Sequence, residues 1–110
     1  MQVHDAFAIE ELEYYELLGS AATGEAEKCI ERGDFELGGR VPVSTDGGLI
    51  ARGHPGGPTG SRAALGDDAA AARRGRRRQV KRQRPTNART GLCHMMGGGS
   101  VCVIHILQRD

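Results

Sequence analysis

The chain has 110 residues, which is enough for one small domain with a single core. Apolar residues make up 38% and charged residues 26%, the net charge is +1, and no apolar run approaches the ~20 residues that span a bilayer. Residues 1–10 lack the basic stretch and following apolar run of a secretory signal, so we expect a cytoplasmic protein without a membrane partner. The three cysteines lack CxxC spacing, so we expect neither a disulfide framework nor a metal site.

The net charge hides an imbalance along the chain. Residues 1–60 contain 11 acidic and four basic side chains, whereas residues 61–90 contain 10 basic and two acidic ones. A cationic middle third is typical either of a protein that binds polyanions or of a segment that does not belong to the same folded domain as its flanks. No aromatic residues lie between these bases and no nucleic-acid-binding motif is present, so we expect no nucleic-acid partner.

The first predicted element is a helix over residues 5–19. Asp5 is a suitable N-cap and Gly19 a natural C-terminal stop. Its glutamates are expected on a solvated face. The apolar stripe is Phe7, Ile9, Leu12, Tyr15 and Leu18, and the glutamates are Glu10, Glu11, Glu13 and Glu16.

Four further segments follow in chain order. A short helix is predicted over residues 26–32, closed by Gly33, and a glycine-dense loop over residues 38–60. Residues 61–79 have the length of a helix but no apolar stripe. Two strands around a three-glycine turn are predicted over residues 91–107, and the apolar run of the second strand predicts burial on both faces.

Three blocks of the sequence occur in a recognisable order and spacing. They are residues 3–7 (VHDAF), 47–60 (GGLIARGHPGGPTG) and 91–101 (GLCHMMGGGSV). Together they resemble the C-terminal half of the thiolase superfamily, in particular its lipid-transfer or sterol-carrier-type branch. The resemblance implies an α/β fold, with residues 1–110 forming a partial thiolase C-terminal domain that has a mixed sheet, covering helices and glycine-rich active-site loops.

The resemblance also implies roles for two histidines. His54 matches the histidine of the family's Gly-His-Pro loop, which activates a cysteine nucleophile from the N-terminal half for attack on an acyl-CoA thioester. A thiolate is the attacking species, and a neighbouring imidazole favours it. His4 stands where many relatives have an asparagine that helps to form an oxyanion hole, and its alternative role is to cap the first helix.

The third block departs from the family pattern. Met95 occupies the position of a cysteine that acts as the second acid/base, and a thioether has no proton to transfer. Cys93, two residues upstream, is an alternative source of that function.

Glycines form the remaining candidate site residues. Gly53 belongs to the His54 loop. Gly97, Gly98 and Gly99 are expected to offer backbone N–H groups to an oxyanion, or to form only a tight strand connection.

These features predict a C-terminal fragment of a thiolase-like acyltransferase acting on acyl-CoA or 3-ketoacyl-CoA, with the coenzyme A thioester as substrate and no cofactor. It would require an N-terminal thiolase half or a dimer partner. The alternatives are a retro-aldolase for steroid side-chain CoA esters and a nonenzymatic half-domain. We interpret the Ala/Arg-rich residues 61–77 as an out-of-frame or disordered segment within the domain.

Overall fold

The structure is a computed structural model that describes residues 1–71 and 89–108. Its elements are α1 (Ala8–Leu17), α2 (Ala26–Glu31), α3 (Gly48–Arg52), α4 (Pro58–Ala71), β1 (Thr90–Gly97) and β2 (Val101–Gln108). The two strands pair antiparallel, and Gln2 forms a parallel bridge with Cys93 of β1. The molecule is therefore a small α/β unit in which β1 has one parallel and one antiparallel neighbour, in agreement with the predicted fold class.

Helix α1 starts later than predicted and has a different cap. Phe7, in extended conformation, is the N-cap residue, and its N–H donates to Glu10 Oε2 at 3.0 Å. Asp5, the predicted cap, instead accepts a hydrogen bond from Leu49 N–H at 2.7 Å and so caps α3 from a distance of 44 residues in the chain. A carboxylate can satisfy the first N–H groups of any helix that packs against it, which sequence neighbourhood alone does not reveal.

The predicted faces of α1 are also partly wrong. Phe7 and Ile9 are 67% and 60% exposed, whereas the adjacent Tyr14 and Tyr15 are both buried. The ring of Tyr15 packs on Phe35 with 3.9 Å between centroids. The buried face therefore follows the partners that the tertiary structure brings to the helix.

Three of the four glutamates on α1 contact other groups. Glu10 bonds to Phe7, Glu11 Oε1 accepts from the Tyr15 hydroxyl at 3.4 Å, and Glu16 Oε1 accepts from Ala26 N–H at 3.2 Å at the start of α2. Only Glu13 is an exposed side chain, as predicted. The acidic face is thus largely a set of acceptors for helix ends and tyrosines.

The main core lies between α1, α2 and the loops that follow them. Its buried members are small or aromatic, and β1 contributes the partly buried Met96 to it. The core consists of Val3, Tyr14, Tyr15, Ala21, Ala26, Cys29, Phe35 and Val43.

Residues 38–60 are not a continuous loop, since they contain α3 and the first turn of α4. Gly47 and Gly48 open α3 with φ of +100° and +65°, a region that L-residues rarely adopt. A Cβ on Gly48 would lie 1.8 Å from Asp5 Oδ2. Glycine at this position lets the start of α3 approach the buried carboxylate.

Helix α4 begins at Pro58, a residue type suited to a first helical position, and continues to Ala71. Residues 61–71 of the Ala/Arg-rich segment are therefore helical, and α4 packs against both strands. Residues 72–77 lie outside the described residues. The out-of-frame interpretation stays a prediction.

The hairpin forms where the sequence predicts it. Ser100 N–H donates to Gly97 O at 3.1 Å, and Gly98 and Gly99 both have positive φ, as a turn of this hand requires. The predicted burial of the second strand is wrong: seven of its eight residues are exposed, and Leu107 is half-buried. An apolar run becomes buried only where other elements cover it, and among the described residues β2 pairs with β1 alone.

No helix in the described parts of the chain combines the length and apolar character needed to cross a membrane.

Candidate functional site

The fold brings together two histidines that are 50 residues apart. His4 lies on the extended segment before α1, and His54 lies on the loop after α3. Their Nε2 atoms are 3.2 Å apart, and the rings meet edge to face with centroids 4.8 Å apart. His4 is buried, whereas His54 is exposed and can reach another molecule.

Two hydrogen bonds hold these segments in place, and the first of them is buried. The hydrogen bond from Leu49 N–H to Asp5, the residue after His4, ties α3 to the N-terminal segment. Gly53, with φ of +82°, ends α3 and donates its N–H to Leu49 O at 2.9 Å. The left-handed conformation of Gly53 turns the chain so that His54 follows the helix directly.

A threonine defines which nitrogen of His54 carries the proton. Thr59 Oγ1 lies 2.5 Å from Pro55 O and 3.0 Å from His54 Nδ1. The two oxygens can approach this closely only with the hydroxyl proton between them, so Thr59 donates to Pro55 and accepts from Nδ1–H. A neutral His54 therefore has its lone pair on Nε2, facing His4.

Glu10 and Tyr14 of α1 surround the other side of His4. Glu10 Oε1 lies 3.3 Å from His4 Nδ1 and 3.5 Å from the Tyr14 hydroxyl. The His4–Glu10 distance suits an ion pair, but His4 Nδ1 has no aligned hydrogen-bond partner among the described residues. Burial raises the pKa of Tyr14 and the charge of Glu10 adds to this, so the phenol remains a protonated donor.

A third histidine completes the cluster. His94 of β1 is buried, and its ring packs on Tyr14 with 4.4 Å between centroids. Its backbone N–H donates to Gln2 O at 2.8 Å, which aligns β1 with the segment that carries His4. Burial lowers the pKa of His94, and the nearby charge of His4 lowers it further, so His94 is held in the neutral form.

The other predicted site residues are placed differently. Gly97, Gly98 and Gly99 form the hairpin turn, and no hydrogen bond joins them to His4 or His54 in the described structure. Met95 is half-buried opposite Val103 of β2. The oxyanion role of the glycines stays a prediction.

The cysteines occupy three separate places. Cys93 is 1% exposed and Cys29 is 4% exposed, and Cys29 Sγ accepts a hydrogen bond from Arg32. Cys102 is exposed on β2. Within the described residues, no group of three potential metal ligands is arranged to hold a metal ion.

A cavity of about 520 Å³ lies on another part of the molecule, beside α2 and the segment that connects α1 to it. Its lining includes Ser20, Cys29, Arg32 and Arg40, and none of the histidines. Arg32 and Arg40 both pair with Asp34, at 3.0 and 3.7 Å, so their charges are already compensated. We therefore locate the site at the histidines and not at this cavity.

Sequence reasoning missed Glu10, Thr59 and His94. Thr59 and His94 lie within the second and third blocks, so their position beside the motif histidines was an available signal. The sequence predicts Glu10 on the solvated face because it lies off the apolar stripe, and only the approach of His4 distinguishes it.

Comparison with known proteins gives consistent matches over nearly the whole chain. Residues 1–109 match the family model described as thiolase C-terminal domain-like. Sterol carrier protein 2 of Bos taurus is 38% identical over 108 residues, covering 98% of this chain and 19% of that protein. The benzoylsuccinyl-CoA thiolase subunit of Thauera aromatica is 36% identical over 99 residues, covering 90% of this chain and 25% of that protein.

An acetyl-CoA acetyltransferase of Methanothermobacter thermautotrophicus is 36% identical over 110 residues, covering 99% of this chain and 27% of that protein. The chain thus spans only about a fifth to a quarter of the length of these relatives.

Proposed function

Because the chain belongs to the thiolase C-terminal domain-like family, we propose that it is the C-terminal part of a thiolase-like acyltransferase acting on acyl-CoA or 3-ketoacyl-CoA thioesters. The observation that carries this proposal is the 3.2 Å contact between His4 and His54, which come from two separate sequence blocks. Two of the relatives have names that specify CoA thioester chemistry, which supports the substrate class.

In this proposal His54 activates a cysteine thiol supplied by an N-terminal thiolase half. Its Nδ1 is occupied by Thr59, so Nε2 is the atom that accepts the thiol proton. The thiolate then attacks the substrate carbonyl, and the ring's exposed position allows the approach. His4 contributes a donor beside the developing oxyanion.

The partner in this proposal is the remainder of a thiolase fold, or a second subunit that provides it. Cys29 and Cys93 are buried and lie on other elements than His54, so neither is placed to act as the nucleophile. The exposed apolar residues of β2 offer a surface for such a partner. The buried cysteines and the exposed β2 surface also favour the second candidate, a nonenzymatic half-domain that binds a partner but receives no nucleophile from it.

The test is a chimera in which this chain replaces the matching segment of the Methanothermobacter acetyltransferase. We expect CoA-dependent cleavage of acetoacetyl-CoA by the chimera and none by the 110-residue chain alone. His54→Ala should lower kcat of the chimera by roughly 100-fold or more, since it removes the base.

His105→Asn is the matched control because His105 is exposed on β2 and is not part of the histidine cluster. It should retain the activity of the parent chimera. Equal activity of His54→Ala and the parent would contradict the proposed role of His54, and a folded chimera without turnover would favour the nonenzymatic half-domain.

A further inference from the structure

The contacts around His4 indicate that its ring carries one proton more than a neutral imidazole. Thr59 requires the proton of His54 to lie on Nδ1, so His54 Nε2 is an acceptor. The 3.2 Å contact then requires His4 Nε2 to be the donor. A neutral His4 would consequently carry a lone pair on Nδ1, the nitrogen that lies 3.3 Å from Glu10 Oε1.

That arrangement would place two acceptors against each other. Glu10 Oε1 is 3.3 Å from His4 Nδ1, and both carboxylate oxygens already accept from donors, Oε2 from Phe7 N–H and Oε1 from the Tyr14 hydroxyl. A carboxylate supplied with two donors functions as an acceptor. A proton on His4 Nδ1 makes the ring a cation and turns the same 3.3 Å contact into an attractive ion pair.

The remaining groups around His4 support this location of the proton. His54 faces it from the loop after α3, His94 from β1, and Glu10 and Tyr14 from α1. Burial holds His94 neutral and Tyr14 protonated, so neither supplies a competing charge. Glu10 is the anionic group that directly contacts the His4 ring.

We propose that His4 is an imidazolium paired with Glu10 and that this pair is the second acid/base of the site, a function that Met95 cannot perform. The acid/base role rests on the proposed thiolase-like function, whereas the protonated pair does not. Glu10 is a positioning residue in this scheme because it acts through His4.

The proton balance of the cleavage reaction closes with this pair. Attack of the thiolate on the 3-keto carbon breaks the bond to the neighbouring carbon, and His4 Nε2 donates its proton to the electron pair left on that carbon. The neutral His4 then takes the proton of the incoming CoA thiol, whose sulfur attacks the acyl thioester and releases the enzyme's thiolate. The thiolate finally recovers the proton held by His54.

The contact between the two rings couples these steps. While His54 Nε2 is unprotonated it accepts from His4 and keeps that proton away from substrate. When His54 takes the thiol proton, two N–H groups face each other and the contact is lost. His4 Nε2–H becomes available at the stage of the reaction that needs an acid.

The protonated pair is tested without any turnover, by long-range ¹H–¹⁵N correlation spectra of the histidine rings in the ¹⁵N-labelled chain. At one pH, the same for all variants, we expect protons on both nitrogens of His4 and the Nδ1–H form of His54. Glu10→Gln should reduce the doubly protonated fraction of His4 several-fold, and Glu13→Gln, an exposed carboxylate on the same helix, should not. A neutral His4 in the parent chain, or an equal fraction in Glu10→Gln, would overturn the inference.

The acid/base role is tested in the chimera. Glu10→Gln should lower kcat at least tenfold with KM little changed, and Met95→Cys should restore part of the loss by returning a thiol to the position that Met95 occupies. Full activity of Glu10→Gln would overturn the role even if the pair is protonated. A folded chimera without turnover removes the proposed function and the acid role together, while the spectra still decide the protonated pair.

Discussion

Asp5 shows how much of the site depends on one buried carboxylate. It is 3% exposed, and its hydrogen bond to Leu49 holds the helix that leads to His54 against the segment that carries His4. Gly48 is the matching requirement, because a side chain at this position would collide with the Asp5 carboxylate. The relative position of the two histidines therefore rests on a contact between residues outside the histidine pair.

Gly48→Ala should destabilise the chain. The substitution forces a side chain into a left-handed conformation and displaces a charge-assisted hydrogen bond, which together correspond to about 2–4 kcal/mol. Urea denaturation measures the loss. Gly56→Ala is the control, since a Cβ there meets nothing within 4 Å. Equal loss in the two variants would contradict a specific role of the Asp5 contact.

At the scale of elements, a side-chain contact between α1 and β1 places His94 in the histidine cluster. The rings of Tyr14 and His94 are in contact. Gln2 joins the N-terminal segment to β1 through two backbone hydrogen bonds, one to Leu92 and one from His94. His94 is buried at this interface, and burial is the first cause of its lowered pKa. Stability of the interface should therefore depend on pH.

The sign of that dependence follows from proton uptake. The unfolded chain protonates His94 near its ordinary pKa of 6.5, whereas the folded chain does so only at lower pH. The contribution of neutral His94 is complete above this range and is lost as the pH falls through 6.5 toward the lowered pKa. Burial raises the pKa of Glu11, which acts in the opposite direction, so the comparison must be between variants.

We expect the parent chain to lose more unfolding free energy on acidification from neutral pH than His94→Gln does, as measured by urea denaturation at a series of pH values. Glu11→Gln separates the opposing contribution. A parallel pH dependence of the parent and His94→Gln would show that protonation of His94 does not affect folding.

At the scale of the whole molecule, the apolar residues of β2 remain largely exposed in the described structure. Val101, Val103, Ile104 and Ile106 of β2 are 42–68% exposed. An exposed apolar strand favours association with other chains. The relatives are roughly four to five times as long as the matched region, which supports the proposal that further chain covers this surface.

The isolated chain should therefore self-associate through β2. Ile106→Lys should lower the weight-average mass in sedimentation equilibrium, because it adds a charge to the most exposed apolar residue of that strand. Leu37→Lys is the matched control, since Leu37 is equally exposed but lies outside the strands. Equal masses for Ile106→Lys and the parent chain would contradict association through β2.

Local signals in the sequence predicted several elements well. Gly33 ends the second helix region, and Gly98 and Gly99 adopt the turn conformation that favours glycine, so the hairpin and its position were predictable. The apolar face of α1 and the environment of β2 were not. Burial depends on which other elements pack against a surface, and this information is distributed over the whole chain.

The sequence by itself determined the family and the identity of the two central histidines, because short blocks of specific residues at a particular spacing carry that information. The tertiary structure decided that Asp5 caps α3, that Thr59 orients His54, and that Glu10 lies against His4. These contacts connect different segments through buried atoms. Their existence depends on distances of a few ångströms that only the packed chain defines.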